Sequence, residues 1–125
     1  MLGAAEHRRV LALGIERGTA IYDRVALLWP AVAGAAESDP DVAAYWRGVA
    51  ARRHAGQRAM VGRLAELDPL RPGLDLDRAA ELVGVLLGHD VYRALVLDAG
   101  WSPDIYREWL ASTLAEQLHS AKAWP

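Results

Sequence analysis

The candidate ligand-binding residues lie on a segment that is polar where an apolar helical stripe is expected. After Pro40, apolar residues recur at helical spacing at the start and the end of the segment, but Arg53, Gly56 and Gln57 interrupt them. A helix that faces a packed core does not leave two turns without apolar volume, because a void and an unpaired polar group both reduce stability. The interruption therefore indicates either a pocket or a stretch of helix that faces solvent.

In the pocket interpretation, a small molecule binds between the first two helices with its polar end at Arg53, His54 and Gln57. An anionic end suits Arg53, because a planar guanidinium binds a carboxylate through two parallel hydrogen bonds. Large apolar side chains would hold the body of the ligand. These side chains are Tyr22, Trp29, Trp46 and Met60. In the solvent interpretation, Arg53 pairs with an acidic neighbour instead.

Catalysis has little support in the sequence. The histidines, His7, His54, His89 and His119, are scattered, and no two of them stand at a metal-binding helical spacing with a carboxylate. The chain has no cysteine, no Gly-rich phosphate loop and no nucleophile elbow. We therefore expect a binding protein with no catalytic residue, no metal and no cofactor.

The elements that position these residues are all predicted to be helices. The chain has 125 residues, enough for a single domain over 1–125, and its apolar residues recur at three-and-four spacing rather than alternating. The first long helix is expected from about residue 4, with Pro30 kinking or ending it near Trp29 and a short piece continuing to about residue 36. The second helix is expected to start at Asp39-Pro40 and to end near Leu67.

The second half of the chain is expected to hold a third helix capped by Asp75 or Asp77, a break at 88–90, and a last helix that begins at Ser102-Pro103. The third helix is apolar nearly all round, and the last helix carries a long apolar stripe. A bundle of four to six helices does not cover both of these apolar surfaces within one chain, so a homodimer is expected. The expected interface residues are Leu82, Val85, Leu86, Leu110, Leu114 and Leu118. The alternative is a monomer in which the first helix covers both faces.

Charge and composition exclude several classes of partner. Fourteen basic and sixteen acidic residues leave a formal charge of −2, so this chain alone is not expected to bind nucleic acid. Charged residues break every apolar stretch well short of the roughly 20 residues that a bilayer span needs, so no membrane partner is expected. The chain shows no basic-then-apolar leader, and we expect a cytoplasmic protein.

Three segments of the second half carry a family resemblance. They read DRAAELV at 77–83, HDVYRALV at 89–96 and GWSPDIYREWL at 100–110, and the similarity extends back through 71–75 and 39–41. Together they resemble the C-terminal half of TetR-family bacterial transcriptional regulators. The resemblance implies an all-α effector-binding and dimerisation domain, with an interior pocket and an interface formed by the last two long helices. The resemblance places a helix-turn-helix module before such a domain, and we expect this chain to be the domain without that module, either because the module was removed or lost or because the chain is a separate fragment. The alternative is a stand-alone helical carrier or a weak enzyme that uses the same pocket.

Overall fold

The fold is all-α, as predicted. The computed structural model describes residues 2–25 and 28–125, and no strand occurs within these ranges. The helices are α1 (Leu2–Thr19), α2 (Tyr22–Val25), α3 (Trp29–Ser38), α4 (Pro40–Leu67), α5 (Leu76–Leu86), α6 (His89–Tyr92) and α7 (Pro103–His119), with a π-helical segment, Arg93–Asp98, between the last two. Nowhere in the described ranges is a helix both long and apolar enough to cross a membrane.

Three helices begin at the capping residues that the sequence indicates. Asp39 accepts a hydrogen bond of 2.9 Å from the backbone N–H of Asp41 at the start of α4. Asp75 caps α5 and Ser102 caps α7, each by accepting from the N–H three residues later, at 2.8 and 3.2 Å. These side chains satisfy amides that have no partner within the helix. The predicted starts of these helices are therefore confirmed.

The first long helix ends earlier than predicted, at Thr19 rather than near Trp29. The Thr19 hydroxyl donates a 2.7 Å hydrogen bond back to the carbonyl of Ile15, and Gly18 before it is a weak helix former. Pro30 does not end this helix but lies in the first turn of α3, where a missing N–H costs nothing. The predicted passage of the helix through residues 26 and 27 lies outside the described residues.

The last helix, α7, forms the centre of the core. Its stripe of Tyr106, Leu110, Leu114 and Leu118 is fully buried within one chain, because α1, α5 and the π-helical segment pack around it. The prediction that Leu110, Leu114 and Leu118 form a dimer interface is therefore wrong. An apolar stripe requires a cover, and here the same chain provides it.

On α5, the expected interface residues are accessible to different degrees. Leu82 and Leu86 are partly buried, whereas Val85 is 68% exposed. The opposite side of α5, including Ala79 and Val83, is fully buried in the core. The predicted interface thus retains only its three α5 residues.

The loop between α4 and α5 is tied to the end of α7. The backbone N–H of Arg71 donates to the carbonyl of Leu118 at 2.8 Å, and the N–H of Trp124 donates to the carbonyl of Pro72 at 2.7 Å. The Arg71 guanidinium also donates to the carbonyl of Lys122 at 3.0 Å. These hydrogen bonds hold the C-terminal segment against the loop.

Candidate functional site

The polar interruption of α4 faces a cavity. This cavity, the α1–α4 cavity, has a volume of about 460 Å³ and lies between the second half of α1 and the middle of α4. Arg53, Gly56, Gln57 and Met60 line it from α4. The α1 side and the end of α5 add Val10, Leu13, Gly14, Arg17, Gly18 and Leu87. The wall is therefore mostly apolar and carries two guanidinium groups.

Glycines set the size of the α1–α4 cavity. A Cβ atom on Gly14 would overlap the side chain of Met60, and one on Gly18 would lie 3.3 Å from Leu87. A Cβ atom on Gly56 would meet no atom within 4 Å, so this glycine faces open space. Larger residues at these positions would reduce the space available to a ligand.

A second space, the aromatic cavity, lies on the other side of Arg53. It has a volume of about 260 Å³ and is lined by Tyr22, Trp29, Trp46 and His89 together with Arg53 and Gln57. The ring centroids of Trp29 and Trp46 are 4.6 Å apart, and the ring of His89 stacks on Trp29 at 4.3 Å. Arg53 and Gln57 line both cavities, so the single pocket expected from the sequence is divided into two.

The Arg53 guanidinium has only neutral hydrogen-bond partners. Its Nη2 donates to the Tyr22 hydroxyl at 2.7 Å, and both terminal nitrogens lie 3.3 Å from the carbonyl oxygen of Gly18. Nη2 also donates to the carbonyl of Leu87 at 3.4 Å. Within the described part of the chain, no carboxylate forms an ion pair with Arg53. The acidic partner of the solvent interpretation is therefore missing from these ranges, and a positive charge stands between the two cavities.

His89 brings unpaired polar atoms into the aromatic cavity. Its side chain is only 4% exposed, and neither ring nitrogen has a hydrogen-bond partner among the described residues. Burial lowers the pKa of His89, against a smaller opposing effect of Asp90, so the ring is neutral at neutral pH. A neutral imidazole offers one donor and one acceptor to a ligand. The sequence marked His89 only as one of four scattered histidines and as part of the helix break at 88–90.

The structure places most of the predicted ligand-binding residues on one cavity or the other. Met60 lines the α1–α4 cavity, and Tyr22, Trp29 and Trp46 line the aromatic cavity. The prediction for His54 is wrong, because its side chain is exposed and lines neither cavity. One residue further along a helix turns the side chain by roughly 100°, which directs His54 away from the side of Arg53.

Sequence reasoning missed a group of three side chains at the opposite end of the bundle. The Nε2 atoms of His7 and His119 are 2.8 Å apart, and Nδ1 of His119 lies 3.6 Å from Oδ2 of Asp68. The interpretation of these two histidines as scattered is wrong. They are 112 positions apart in the chain, so no local spacing could have indicated their contact.

Comparison with protein-family models, with curated proteins and with solved structures finds no match in any of the three. The fold and the cavities define a class by geometry alone: an all-α bundle with a cationic wall between two largely apolar spaces.

Proposed function

We propose that this chain is a small-molecule-binding module whose ligand has an apolar body and an anionic end. The observation that carries the proposal is the Arg53 guanidinium, which lies between two cavities without an anionic partner among the described residues. A partly buried charge is stabilised by a paired counter-charge. A carboxylate or sulfonate on a ligand supplies one.

The α1–α4 cavity suits the larger part of such a ligand. Its volume of about 460 Å³ falls within the range of small-molecule sites, which is roughly 300–1,000 Å³. Leu13, Met60 and Leu87 offer apolar contacts, and Arg17 supplies a second positive charge at the wall. No acidic residue lines the cavity in the described ranges, so an anion meets no repulsion from the wall.

The resemblance to TetR-family regulators extends the proposal to effector sensing. An effector acts by binding one conformation more tightly than another. Arg53 is suited to this because it joins the end of α1 at Gly18, α2 at Tyr22 and the end of α5 at Leu87. A ligand that competes for the guanidinium changes the contacts of three elements at once. A second copy of the chain, packed on Val85 and its neighbours on α5, completes the proposed regulator.

The proposal is tested with two fluorescent probes of similar shape, anionic 8-anilino-1-naphthalenesulfonate and neutral N-phenyl-1-naphthylamine. Arg17→Leu is the informative variant, because Arg17 lines the cavity, is exposed and forms no hydrogen bond or ion pair within the described ranges. Arg9→Leu is the matched control, since Arg9 is also an exposed arginine of α1 but lies outside the cavity.

We expect Arg17→Leu to weaken the anionic probe about three- to tenfold, as befits loss of one partly solvated charge contact. The neutral probe is expected to bind both variants and the parent alike. Equal losses for Arg17→Leu and Arg9→Leu, or for the two probes, would show that the cavity does not select anions.

A further inference from the structure

We propose that His7, Asp68 and His119 form a site for a divalent transition-metal ion, with Zn²⁺ the best match. One ligand atom from each residue lies within 4.8 Å of the other two. Imidazole nitrogen and carboxylate oxygen are donors that Zn²⁺ accepts, and three protein ligands leave a position for water. This site is separate from the two cavities and independent of the proposed ligand.

The hydrogen bonds of His119 already give it the tautomer that a metal requires. Its Nδ1 lies 3.0 Å from the carbonyl oxygen of Pro69, which can only accept, so Nδ1 carries the proton. The lone pair is then on Nε2, the atom that faces Nε2 of His7 at 2.8 Å. A backbone carbonyl that holds the second nitrogen is the usual support of a metal-binding histidine.

The two imidazoles are close to the spacing that a shared ion needs. Two nitrogens at 2.0–2.1 Å from a tetrahedral Zn²⁺ lie about 3.3 Å apart. The observed 2.8 Å therefore has to open by about 0.5 Å when the ion replaces the proton between the rings. His7 is half-buried, and its proton moves from Nε2 to Nδ1 in this step, so both rings stay neutral.

Backbone hydrogen bonds of the fold hold the main chain at two of the three ligands. Asp68 is the C-cap of α4, and its N–H donates to the carbonyl of Leu64 at 2.9 Å. His119 is the last residue of α7, one position after Leu118, whose carbonyl accepts from the N–H of Arg71. Preorganised ligands lose less freedom on binding. An ion at this site would join the ends of α4 and α7 to the second turn of α1.

The Asp68 carboxylate gives the site its negative charge. Oδ2 lies 3.6 Å from Nδ1 of His119, which is the protonated nitrogen of that ring and not the metal-binding one, so the half-exposed carboxylate has to turn to reach an ion at Nε2. With two neutral imidazoles and one carboxylate as ligands, the bound Zn²⁺ site has a net charge of +1. Water or a small anion can take the remaining coordination position.

The test is calorimetric titration of the chelator-treated full chain with zinc chloride at pH 7.5, with thermal unfolding measured alongside. We expect one ion per chain and a midpoint of unfolding that rises with zinc concentration. His7→Ala is expected to lower the affinity by more than about 100-fold, beyond the roughly 10–100-fold effect of losing an outer partner. Asp68→Asn is expected to lower it about tenfold or more.

His54→Ala is the matched control, because His54 is an exposed histidine that does not belong to the cluster. His119→Ala removes a nearly buried ring, so imidazole nitrogen NMR of the unmutated chain serves in its place. Zinc should shift the Nε2 signals of His7 and His119 and leave His54 and His89 unchanged. Absence of binding at millimolar zinc, binding unaffected by His7→Ala, or equal shifts of all histidines would overturn the proposal.

Discussion

The Arg53 guanidinium donates a 2.7 Å hydrogen bond to the Tyr22 hydroxyl, and that hydroxyl donates a 2.7 Å hydrogen bond to the carbonyl of Leu87. The pair joins the middle of α4 to α2 and to the end of α5. Arg53 therefore has two parts in the proposed function, since it supports the fold and also brings its charge to both cavities. A ligand anion and Tyr22 compete for the same donors.

Loss of the Tyr22 hydroxyl is expected to destabilise the chain. Tyr22→Phe removes the bond to Leu87 and leaves Arg53 with one acceptor fewer, at a cost of about 1.5–3 kcal/mol for a charged hydrogen bond. Chemical denaturation measures the change in the free energy of unfolding.

Tyr106→Phe is the matched comparison for that experiment. The Tyr106 hydroxyl is buried and has no hydrogen-bond partner within the described ranges, so its removal relieves an unsatisfied group. We expect a free energy of unfolding equal to that of the parent or up to about 2 kcal/mol higher. An equal loss of stability in both variants would contradict the conclusion that the Tyr22 hydroxyl is hydrogen-bonded and the Tyr106 hydroxyl is not.

Acid is expected to destabilise the chain partly through His89. Burial lowers the pKa of His89 from 6.5, so the unfolded chain binds a proton more readily than the folded chain does. His89 therefore does not reduce the free energy of unfolding above pH 6.5, and it lowers that free energy as the pH falls below this value. His89→Phe keeps an aromatic ring against Trp29 and should reduce the loss of stability between pH 7.5 and 5.5.

Denaturation at several pH values checks this expectation, with the exposed His54 replaced by Phe as control. The control should keep the pH dependence of the parent. If the two variants respond alike, burial of His89 does not contribute to the acid response.

Filling the α1–α4 cavity is expected to block binding without unfolding the chain. Gly56→Leu places a side chain where a Cβ atom meets nothing within 4 Å, and a residue other than Gly favours the helix by about 0.5–1 kcal/mol. The affinity for 8-anilino-1-naphthalenesulfonate should fall at least about tenfold. Ala55→Leu, on the exposed side of α4, should leave it unchanged. If Gly56→Leu binds the probe as tightly as the parent does, the probe does not bind in the α1–α4 cavity.

The homodimer stays a prediction, now limited to the exposed side of α5. Val85→Glu puts a charge on a side chain that is 68% exposed, so it should turn a dimer into a folded monomer whose midpoint of unfolding no longer depends on protein concentration. Leu114→Arg should instead unfold the chain, because Leu114 is fully buried. Sedimentation equilibrium measures the mass, and an unmutated chain that is monomeric at about 100 µM would contradict the dimer.

The sequence by itself determined the all-α class and the starts of three helices. Asp39, Asp75 and Ser102 accept from amides only two or three residues away, so their effect is local and can be read from spacing. The interruption at Arg53 and Gln57 was likewise visible as a gap in an apolar stripe, and it does line a cavity.

Only the tertiary structure decided what each face meets. The stripe of α7 required burial, but its cover could be the same chain or a second copy, and the sequence pattern is the same in both cases. The contact between His7 and His119, and the burial of His89 against Trp29, depend on residues far apart in the chain. Periodicity specifies which side of a helix is buried, whereas the partner of that side follows from how all the helices pack together.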